Sequence, residues 1–194
     1  HAARQWDAVI CTHFLPAAVV GELRRTGQLR SPTMTVVTDF DAHAVWHHPS
    51  TDHYCVASEL AAKSLKALGV RDEQLAITGI PIERCFSRVP RTDSRRATTL
   101  SSLGFTDPQA PTVLLLSGGA GVGPVEKRYR SMEQVPGRIN VAALCGNNTA
   151  LRERVSRITL QRHHGTVHGF RNDMPSLLAA ADLVIGKPGG MTTA

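Results

Sequence analysis

One stretch decides the fold: Thr112-Val113-Leu114-Leu115-Leu116-Ser117-Gly118-Gly119-Ala120-Gly121-Val122-Gly123. Its unbroken apolar run is typical of a strand buried on both faces of a parallel sheet. The glycines let the backbone approach a ligand closely, so the turn resembles a phosphate-binding or dinucleotide loop. It departs from both patterns, since no Gly-Lys-Ser/Thr follows and Cys145-Gly146-Asn147 stands where an acidic residue is expected. A tight turn that only packs a helix on the strand is the alternative.

Glycine-bearing residues follow three further strand-like runs in the same half of the chain: Gly146-Asn147-Asn148, Gly169-Phe170 and Gly186-Lys187-Pro188-Gly189-Gly190. In a parallel sheet such strand ends share one edge, so the four loops are predicted to line one crevice. Backbone N–H groups from two loops could hold a diphosphate without a metal. Gly169-Phe170 could take a flat base, although Phe170 could equally be a core aromatic.

The first half of the chain alternates in the same way. Strand-like runs at 6–11, 34–38, 54–57 and 74–78 are separated by helical patterns at 17–25 and 58–68. This order predicts an α/β fold with a parallel sheet and crossover helices. The polar stretch 87–111 is predicted to be a linker, with a possible helix from Arg95 to Leu103, between domains at 1–86 and 112–194.

Polar and aromatic residues crowd the loop that follows the strand at 34–38: Asp39, Asp41, His43, Trp46, His47 and His48. Asp39 or His43 could orient or deprotonate a hydroxyl group, and Trp46 could face a sugar or a lipid interface. The plain alternatives are that Asp39 caps a turn and that His47 and His48 are exposed loop residues.

A net charge of +6 and a pI near 9.6 favour an anionic partner. No aromatic interleaving or nucleic-acid module accompanies the basic clusters, which argues against nucleic acid and leaves an anionic membrane surface or plain solvation. Without a signal peptide or membrane span, we expect a cytoplasmic protein that is peripheral on the membrane. The four scattered cysteines are predicted to be buried thiols, and no histidine spacing indicates a metal.

The motifs together resemble the diacylglycerol glycosyltransferases, a glycosyltransferase family 28-like group. It comprises bacterial processive diacylglycerol glucosyltransferases and plastid monogalactosyldiacylglycerol synthases, which are relatives of the cell-wall N-acetylglucosaminyltransferase. The resemblance spans nearly the whole chain and rests on Thr38-Asp39-Phe40-x-x-His43-x-x-Trp46, Asp52-x-Tyr54-x-Val56-Ala57-Ser58-Glu59, Thr78-Gly79-Ile80-Pro81-Ile82, Leu116-Ser117-Gly118-Gly119-x-Gly121, Cys145-Gly146-x-Asn148, Gly169-Phe170 and Lys187-Pro188-Gly189-Gly190-Met191-Thr192.

This resemblance implies a GT-B fold, in which two Rossmann-like domains face a cleft. The first domain would bind a diacylglycerol-type lipid acceptor and the second a UDP-sugar, for inverting hexose transfer without metal or cofactor. The implied donor-binding residues are Gly118, Gly119, Gly121, Gly146, Asn148, Gly169, Phe170, Lys187, Pro188, Gly189, Gly190, Met191 and Thr192. The implied acceptor-side residues are His13, Asp39, His43 and Trp46, of which Asp39 and His43 are the catalytic candidates.

Two parts of the family pattern are missing from the sequence. The Gly-x-Gly-His-type loop expected to supply the general base would precede residue 1, and the acidic residue expected to hold the ribose would follow Ala194. We therefore interpret the chain as a fragment truncated at both ends and expect it to be a poor catalyst by itself. Two alternatives are a UDP-N-acetylglucosamine 2-epimerase-like enzyme and a non-catalytic nucleotide-sugar-binding regulator at the membrane.

Overall fold

The computed structural model describes residues 6–190 and divides them into two compact units. One unit takes in residues 6–82 together with 188–190, and the other comprises residues 83–187. Each unit holds one four-stranded sheet in which every strand pair is parallel. The predicted α/β class with two parallel sheets is therefore confirmed. The predicted cleft concerns the mutual placement of the units and stays a prediction.

The first unit follows the alternation predicted from its sequence. Its elements are β1 (Val9–Cys11), α1 (Phe14–Arg25), β2 (Thr33–Val36), β3 (His53–Val56), α2 (Glu59–Ala67) and β4 (Leu75–Ile77), with strand order β1-β2-β3-β4. Ser58 caps α2, its hydroxyl accepting a hydrogen bond from the Ala61 N–H at 3.2 Å. Tyr54 and Val56 of β3 and Leu65 of α2 are buried together in the core of this unit.

The second unit is a sheet covered by helices. Its elements are α3 (Arg84–Arg88), α4 (Asp93–Ser102), β5 (Thr112–Leu116), α5 (Val125–Ser131), β6 (Asn140–Leu144), α6 (Thr149–Ser156), β7 (His164–His168), α7 (Met174–Ala180) and β8 (Leu183–Ile185), with strand order β7-β6-β5-β8. Successive residues of β5 point to opposite faces: Leu115 joins the core under α5 and α6, and Leu114 joins the core under α4 and α7. Burial on both faces explains why β5 is apolar from Val113 to Leu116.

The stretch predicted to be a linker, 87–111, helps to build the second unit. It contains α4, and Leu100, Leu103 and Phe105 are buried against the sheet. Arg96 holds this segment in place, because its guanidinium donates to Asp182 Oδ2 at 2.7 Å and to the carbonyl oxygen of Pro108 at 3.0 Å. The many polar residues of the segment hid these three core positions from a prediction based on composition.

The end of the described chain lies against the first unit. A Cβ atom added at Gly190 would fall 1.7 Å from the carbonyl oxygen of Thr38 and 3.2 Å from the Ile80 side chain. Residues 188–190 were predicted to belong to the second domain, whereas by their contacts they group with the first unit. Only a residue without a side chain fits at this position.

The cysteines are all free, but they do not share one environment. Cys11 and Cys145 are buried, Cys55 is half-buried and Cys85 is exposed. The prediction of buried thiols is therefore wrong for Cys85, because all five residues of α3 face solvent. Within the described range, 6–190, the structure contains no helix long and apolar enough to cross a membrane.

Candidate functional site

The order of strands in the second unit marks one place on its sheet. The chain builds β5, β6 and β7 outward in one direction and then returns to place β8 on the other side of β5. In open parallel sheets, ligands bind outside the carboxyl ends of the strands where the order reverses in this way. The loop 117–123 after β5 and the residues Gly186 and Lys187 after β8 flank that point. Gly186 packs closely, since an added Cβ would lie 3.3 Å from Leu116 Cβ.

The turn after β5 presents a row of unpaired amide groups. Among the residues that the structure describes, the N–H groups of Gly118, Gly119 and Ala120 donate to no partner, and all three residues are exposed. The turn is closed by the Gly121 N–H, which donates to the Gly118 carbonyl oxygen at 3.1 Å. Gly118 has a φ of 71°, a conformation that glycine adopts readily. Consecutive free N–H groups of this kind form a concave anion-binding surface.

The second loop is fastened to the first. The Asn147 N–H donates to the Gly119 carbonyl oxygen at 2.9 Å, and Asn148 Nδ2 donates to that of Gly121 at 2.9 Å. Asn148 also caps α6, because its Oδ1 accepts from the Leu151 N–H at 2.8 Å. Both ends of the Asn148 amide are thus occupied within the protein. These contacts position the glycine turn, and the prediction that Asn148 binds the donor stays a prediction.

The fit between these two loops requires glycine at two positions. A Cβ at Gly121, whose φ is 68°, would lie 2.3 Å from Asn148 Cβ and 2.4 Å from the Cys145 carbonyl oxygen. A Cβ at Gly146, whose φ is 56°, would lie 2.3 Å from the Gly118 carbonyl oxygen. By contrast, Gly118 and Gly119 have no atom within 4 Å of an added Cβ, so open space lies above them. Gly121 and Gly146 serve packing, and Gly118 and Gly119 leave room for a ligand.

The third loop joins the same edge. The Cys145 N–H donates to the His168 carbonyl oxygen at 2.8 Å, and a Cβ at Gly169 would lie 3.6 Å from the Gly146 carbonyl oxygen. Phe170 is 57% exposed, so within residues 6–190 it is not a core aromatic, the alternative raised from the sequence. Three of the predicted loops are thus in direct contact, and the fourth touches β5 at Leu116.

Arginine side chains that the motifs did not single out surround this edge. Arg152, on the first turn of α6, places its guanidinium 3.6 Å from where a Gly169 Cβ would be. Within the described residues Arg152 has no carboxylate partner, whereas Arg171 is held by Asp173 in a bidentate pair at 2.6 and 2.8 Å. An arginine four residues beyond Asn148 was visible in the sequence, but nothing in its spacing connects it with Gly169.

The same positive charges act on His168. Burial lowers the pKa of His168, and the nearby guanidinium groups of Arg171 and Arg152 lower it further. The imidazole is therefore neutral at pH 7, and its Nε2 lies 3.0 Å from the Thr166 hydroxyl. Because the His168 ring is neutral, the positive charge at this edge of the sheet comes from arginine and lysine side chains alone.

In the first unit, Asp39 and Trp46 are bonded to each other. Trp46 Nε1 donates to Asp39 Oδ2 at 2.8 Å, and the ring, only 2% exposed, packs edge-on against Phe14 with centroids 5.9 Å apart. The prediction that Trp46 faces a sugar or a lipid is not met, because the indole belongs to the core. Asp39 itself is exposed, and its second carboxylate oxygen makes no hydrogen bond within residues 6–190.

The two other acceptor-side candidates cap the start of a helix and of a 3₁₀ turn. His13 Nδ1 accepts from the Leu15 N–H at 3.2 Å at the start of α1, and His43 Nδ1 accepts from the Val45 N–H at 3.3 Å at the start of a 3₁₀ turn, Ala44–Trp46. The His13 and Trp46 ring centroids lie 6.3 Å apart. His13, Asp39 and Trp46 thus form one cluster, but no hydrogen bond joins Asp39 to His43 in the described part of the chain.

Part of the predicted donor site lies beyond what the structure covers. Met191 and Thr192 fall outside the described residues, and Lys187 is exposed beside Gly186. Between residues 6 and 190, no three histidine, cysteine or acidic side chains come close enough together to hold a metal ion.

Two units, each built on one four-stranded parallel sheet, define an α/β protein with the GT-B type of fold. Solved structures agree with this class. MurG from Acinetobacter baumannii matches with a TM-score of 0.62 at 18% identity, over 96% of this chain and 48% of that one. Anabaena HepE in complex with UDP-glucose matches with a TM-score of 0.61 at 18% identity, over 92% and 52%. A UDP-GlcNAc 2-epimerase from Neisseria meningitidis shares the fold at 9% identity.

Sequence comparison narrows this class. Residues 2–82 match the family described as monogalactosyldiacylglycerol (MGDG) synthase. The chain is 32% identical over 191 residues to the processive diacylglycerol beta-glucosyltransferase of Bacillus subtilis. This alignment covers 97% of the present chain and 48% of that enzyme. The chain is thus similar in sequence to the processive diacylglycerol glucosyltransferases. It spans about half the length of the curated relatives that it matches.

Proposed function

We propose that the whole protein transfers a hexose from a UDP-sugar to a diacylglycerol-type lipid, with inversion at the anomeric carbon. The observation that carries the proposal is the 32% identity to a processive diacylglycerol beta-glucosyltransferase over nearly all of this chain. The similar solved structures alone would not distinguish a transferase from an epimerase, because both share the fold.

The donor would lie at the carboxyl edge of the second sheet. The free N–H groups of Gly118, Gly119 and Ala120 are suited to a diphosphate, and HepE, which has the same fold, was crystallised with UDP-glucose. Exposed Phe170 would lie against the uracil ring. Fixed backbone dipoles at this position stabilise the charge that develops on UDP as it leaves, and they need no metal for it.

The acceptor would lie in the first unit, beside Asp39. Large apolar side chains are unusually exposed on α1 and the loop that packs on it: Phe14 at 37%, Leu15 at 62%, Phe40 at 44% and Val45 at 48%. Such side chains suit the acyl region of a lipid rather than water. The free carboxylate oxygen of Asp39 could then accept a hydrogen bond from the acceptor hydroxyl.

In the proposed reaction, the lipid hydroxyl attacks the anomeric carbon from the face opposite UDP. The bond to the diphosphate oxygen breaks as the bond to the lipid oxygen forms, and a base takes the hydroxyl proton. Asp39 would orient the hydroxyl for attack. Holding both reactants in line supplies much of the rate enhancement. We further propose that the protein acts at the cytoplasmic surface of a membrane, as a peripheral protein.

The test is to incubate the whole protein with UDP-glucose or UDP-galactose and liposomes that contain diacylglycerol. We expect a glycolipid product that is resolved by thin-layer chromatography and mass spectrometry. The same assay with EDTA is expected to give an unchanged rate. UDP binding without any lipid product would favour the nucleotide-sugar regulator instead, and a free epimerised sugar nucleotide would favour the epimerase.

A further inference from the structure

The basic cluster at residues 84–96 contains five arginines, of which one pairs with other residues of the protein and four do not. Arg96 is held by Asp182 and by backbone carbonyl groups, as described above. The other four arginines are exposed, and in the described part of the chain none of them pairs with a carboxylate: Arg84, Arg88, Arg91 and Arg95. A solvated protein surface ordinarily interleaves charges of both signs, and here only Glu83 and Asp93 lie among the four arginines.

An aromatic side chain is exposed within the same segment. Phe86 lies at the middle of α3 and is 42% exposed, and the half-buried Val89 follows at the end of the helix. Arg84 and Arg88 are one helical turn apart and share a side of α3. A short helix with a basic side and an aromatic residue on its other side is typical of segments that lie in the plane of a membrane interface. Long arginine side chains can reach the phosphate level while the aromatic ring enters the acyl boundary.

A groove continues this surface. Residues 89–96 and the end of α7 enclose a cavity of about 480 Å³, lined by Arg91, Arg95 and Asp93 as well as by Ala179 and Ala180. Its two unpaired guanidinium groups outnumber the single unpaired carboxylate. The groove is large enough to take a phosphate-bearing headgroup.

We propose that the segment 84–95 is a docking surface for an anionic lipid bilayer. The inference rests on the proposed function, since a lipid acceptor requires the enzyme to work at a membrane. The positive charge of the arginines favours anionic lipid over neutral lipid. The exposed Phe86 ring favours a bilayer over a free phosphate, because only a bilayer offers an apolar region for the ring. Each arginine near such a surface contributes about a fivefold gain in affinity, and salt screens that gain.

The test compares two triple variants that each remove three positive charges. R84Q/R88Q/R91Q alters the docking surface, and K127Q/R138Q/R157Q alters exposed and unpaired cations elsewhere in the same unit. Binding of the whole protein to phosphatidylcholine vesicles with and without phosphatidylglycerol is measured by sedimentation. We expect the first variant to bind phosphatidylglycerol vesicles about 100-fold more weakly and the second to change by no more than a few-fold. F86S should weaken binding without altering its salt dependence.

Equal losses in both triple variants would overturn the proposal, as would wild-type binding that does not depend on phosphatidylglycerol. Arginine-dependent binding of a single-stranded oligonucleotide without vesicle binding would also overturn it. Thermal unfolding of each variant checks that the fold is intact. Hexose transfer to a detergent-solubilised acceptor separates the two proposals: R84Q/R88Q/R91Q should retain it, whereas a wild-type protein that transfers nothing contradicts the proposed function and not the docking surface.

Discussion

The two candidate regions are built from different materials. At the carboxyl edge of the second sheet, backbone groups form the candidate site: the N–H groups of Gly118–Ala120 are free, and carbonyl oxygens hold the loops together. In the first unit, side chains form the candidate site, and most of them are hydrogen-bonded to neighbouring residues, as Trp46 is to Asp39. A site made of backbone groups tolerates many substitutions but depends on its glycines. A site made of side chains can lose its function when a single carboxylate is replaced.

The largest expected effect comes from the packing glycine of the backbone site. Gly121→Ala puts a methyl group 2.3 Å from Asn148 Cβ at a left-handed φ, so the two loops must separate. We expect the free energy of unfolding to fall by about 2–4 kcal/mol and UDP binding to be lost. Chemical denaturation and calorimetric titration measure the two effects.

Gly119→Ala is the matched control in the same turn, because an added Cβ meets no atom within 4 Å. This variant should unfold like the wild type, within about 0.5 kcal/mol. If both alanine variants lose the same stability, the close packing of the two loops does not explain the glycine at position 121.

The second largest effect is expected from a substitution at Asp39, which changes only the candidate site in the first unit. In Asp39→Asn an amide oxygen can still accept from Trp46 Nε1, so the fold is retained while the negative charge is lost. We expect hexose transfer by the whole protein to fall by about 10²-fold, because the acceptor hydroxyl loses the group that orients it, with UDP affinity unchanged. Steady-state kinetics with a lipid acceptor provides the measurement. Unchanged turnover would remove Asp39 from the reaction.

A smaller effect is expected from the unpaired cation at the backbone site. Arg152→Gln should weaken UDP binding about 10-fold through loss of a charge-assisted hydrogen bond to phosphate, and should leave uridine binding unchanged. Arg157→Gln, at the exposed end of the same helix, is the control. An equal loss for UDP and uridine would mean that Arg152 contacts the base instead of the phosphates.

The smallest effect concerns pH. The pKa of His168 is lowered in the folded protein by burial, so the folded state binds fewer protons than the unfolded chain below the ordinary histidine value of about 6.5. Stability is therefore complete above that pH and declines as the pH falls through it. His168→Gln should make the melting temperature less dependent on pH between about 7 and 5.

His47 offers the same measurement in the first unit. Burial, and next the charge of His48, lower the pKa of His47 as well. His47→Gln and His168→Gln should therefore each remove part of the acid sensitivity. A melting temperature that responds to pH as in the wild type in both variants would show that neither ring carries the effect.

Much of the fold could be predicted from periodicity. The apolar run of β5, the capping Ser58 and the glycines at four strand ends all act through local chemistry, which is visible in a few consecutive residues. Within residues 87–111 a helix could be predicted, from Arg95 to Leu103, and α4 is found there. The burial of Leu100, Leu103 and Phe105 could not be predicted, because they are spaced among polar residues and pack near α7, far along the chain.

The sequence by itself determined the alternation of strands and helices, the glycine turns and the family resemblance, because each depends on residue types at short spacing. Tertiary structure alone decided that Asn148 fastens the turn, that Trp46 is buried on Asp39, and that Arg152 lies beside Gly169. The physical reason is that Asn148 and Arg152 meet residues of other loops, which strand order brings together. Trp46 meets Asp39 because of how the single loop that holds both of them folds. In the same way, the glycine turn after β5 becomes a candidate ligand site only because β8 returns to its other side.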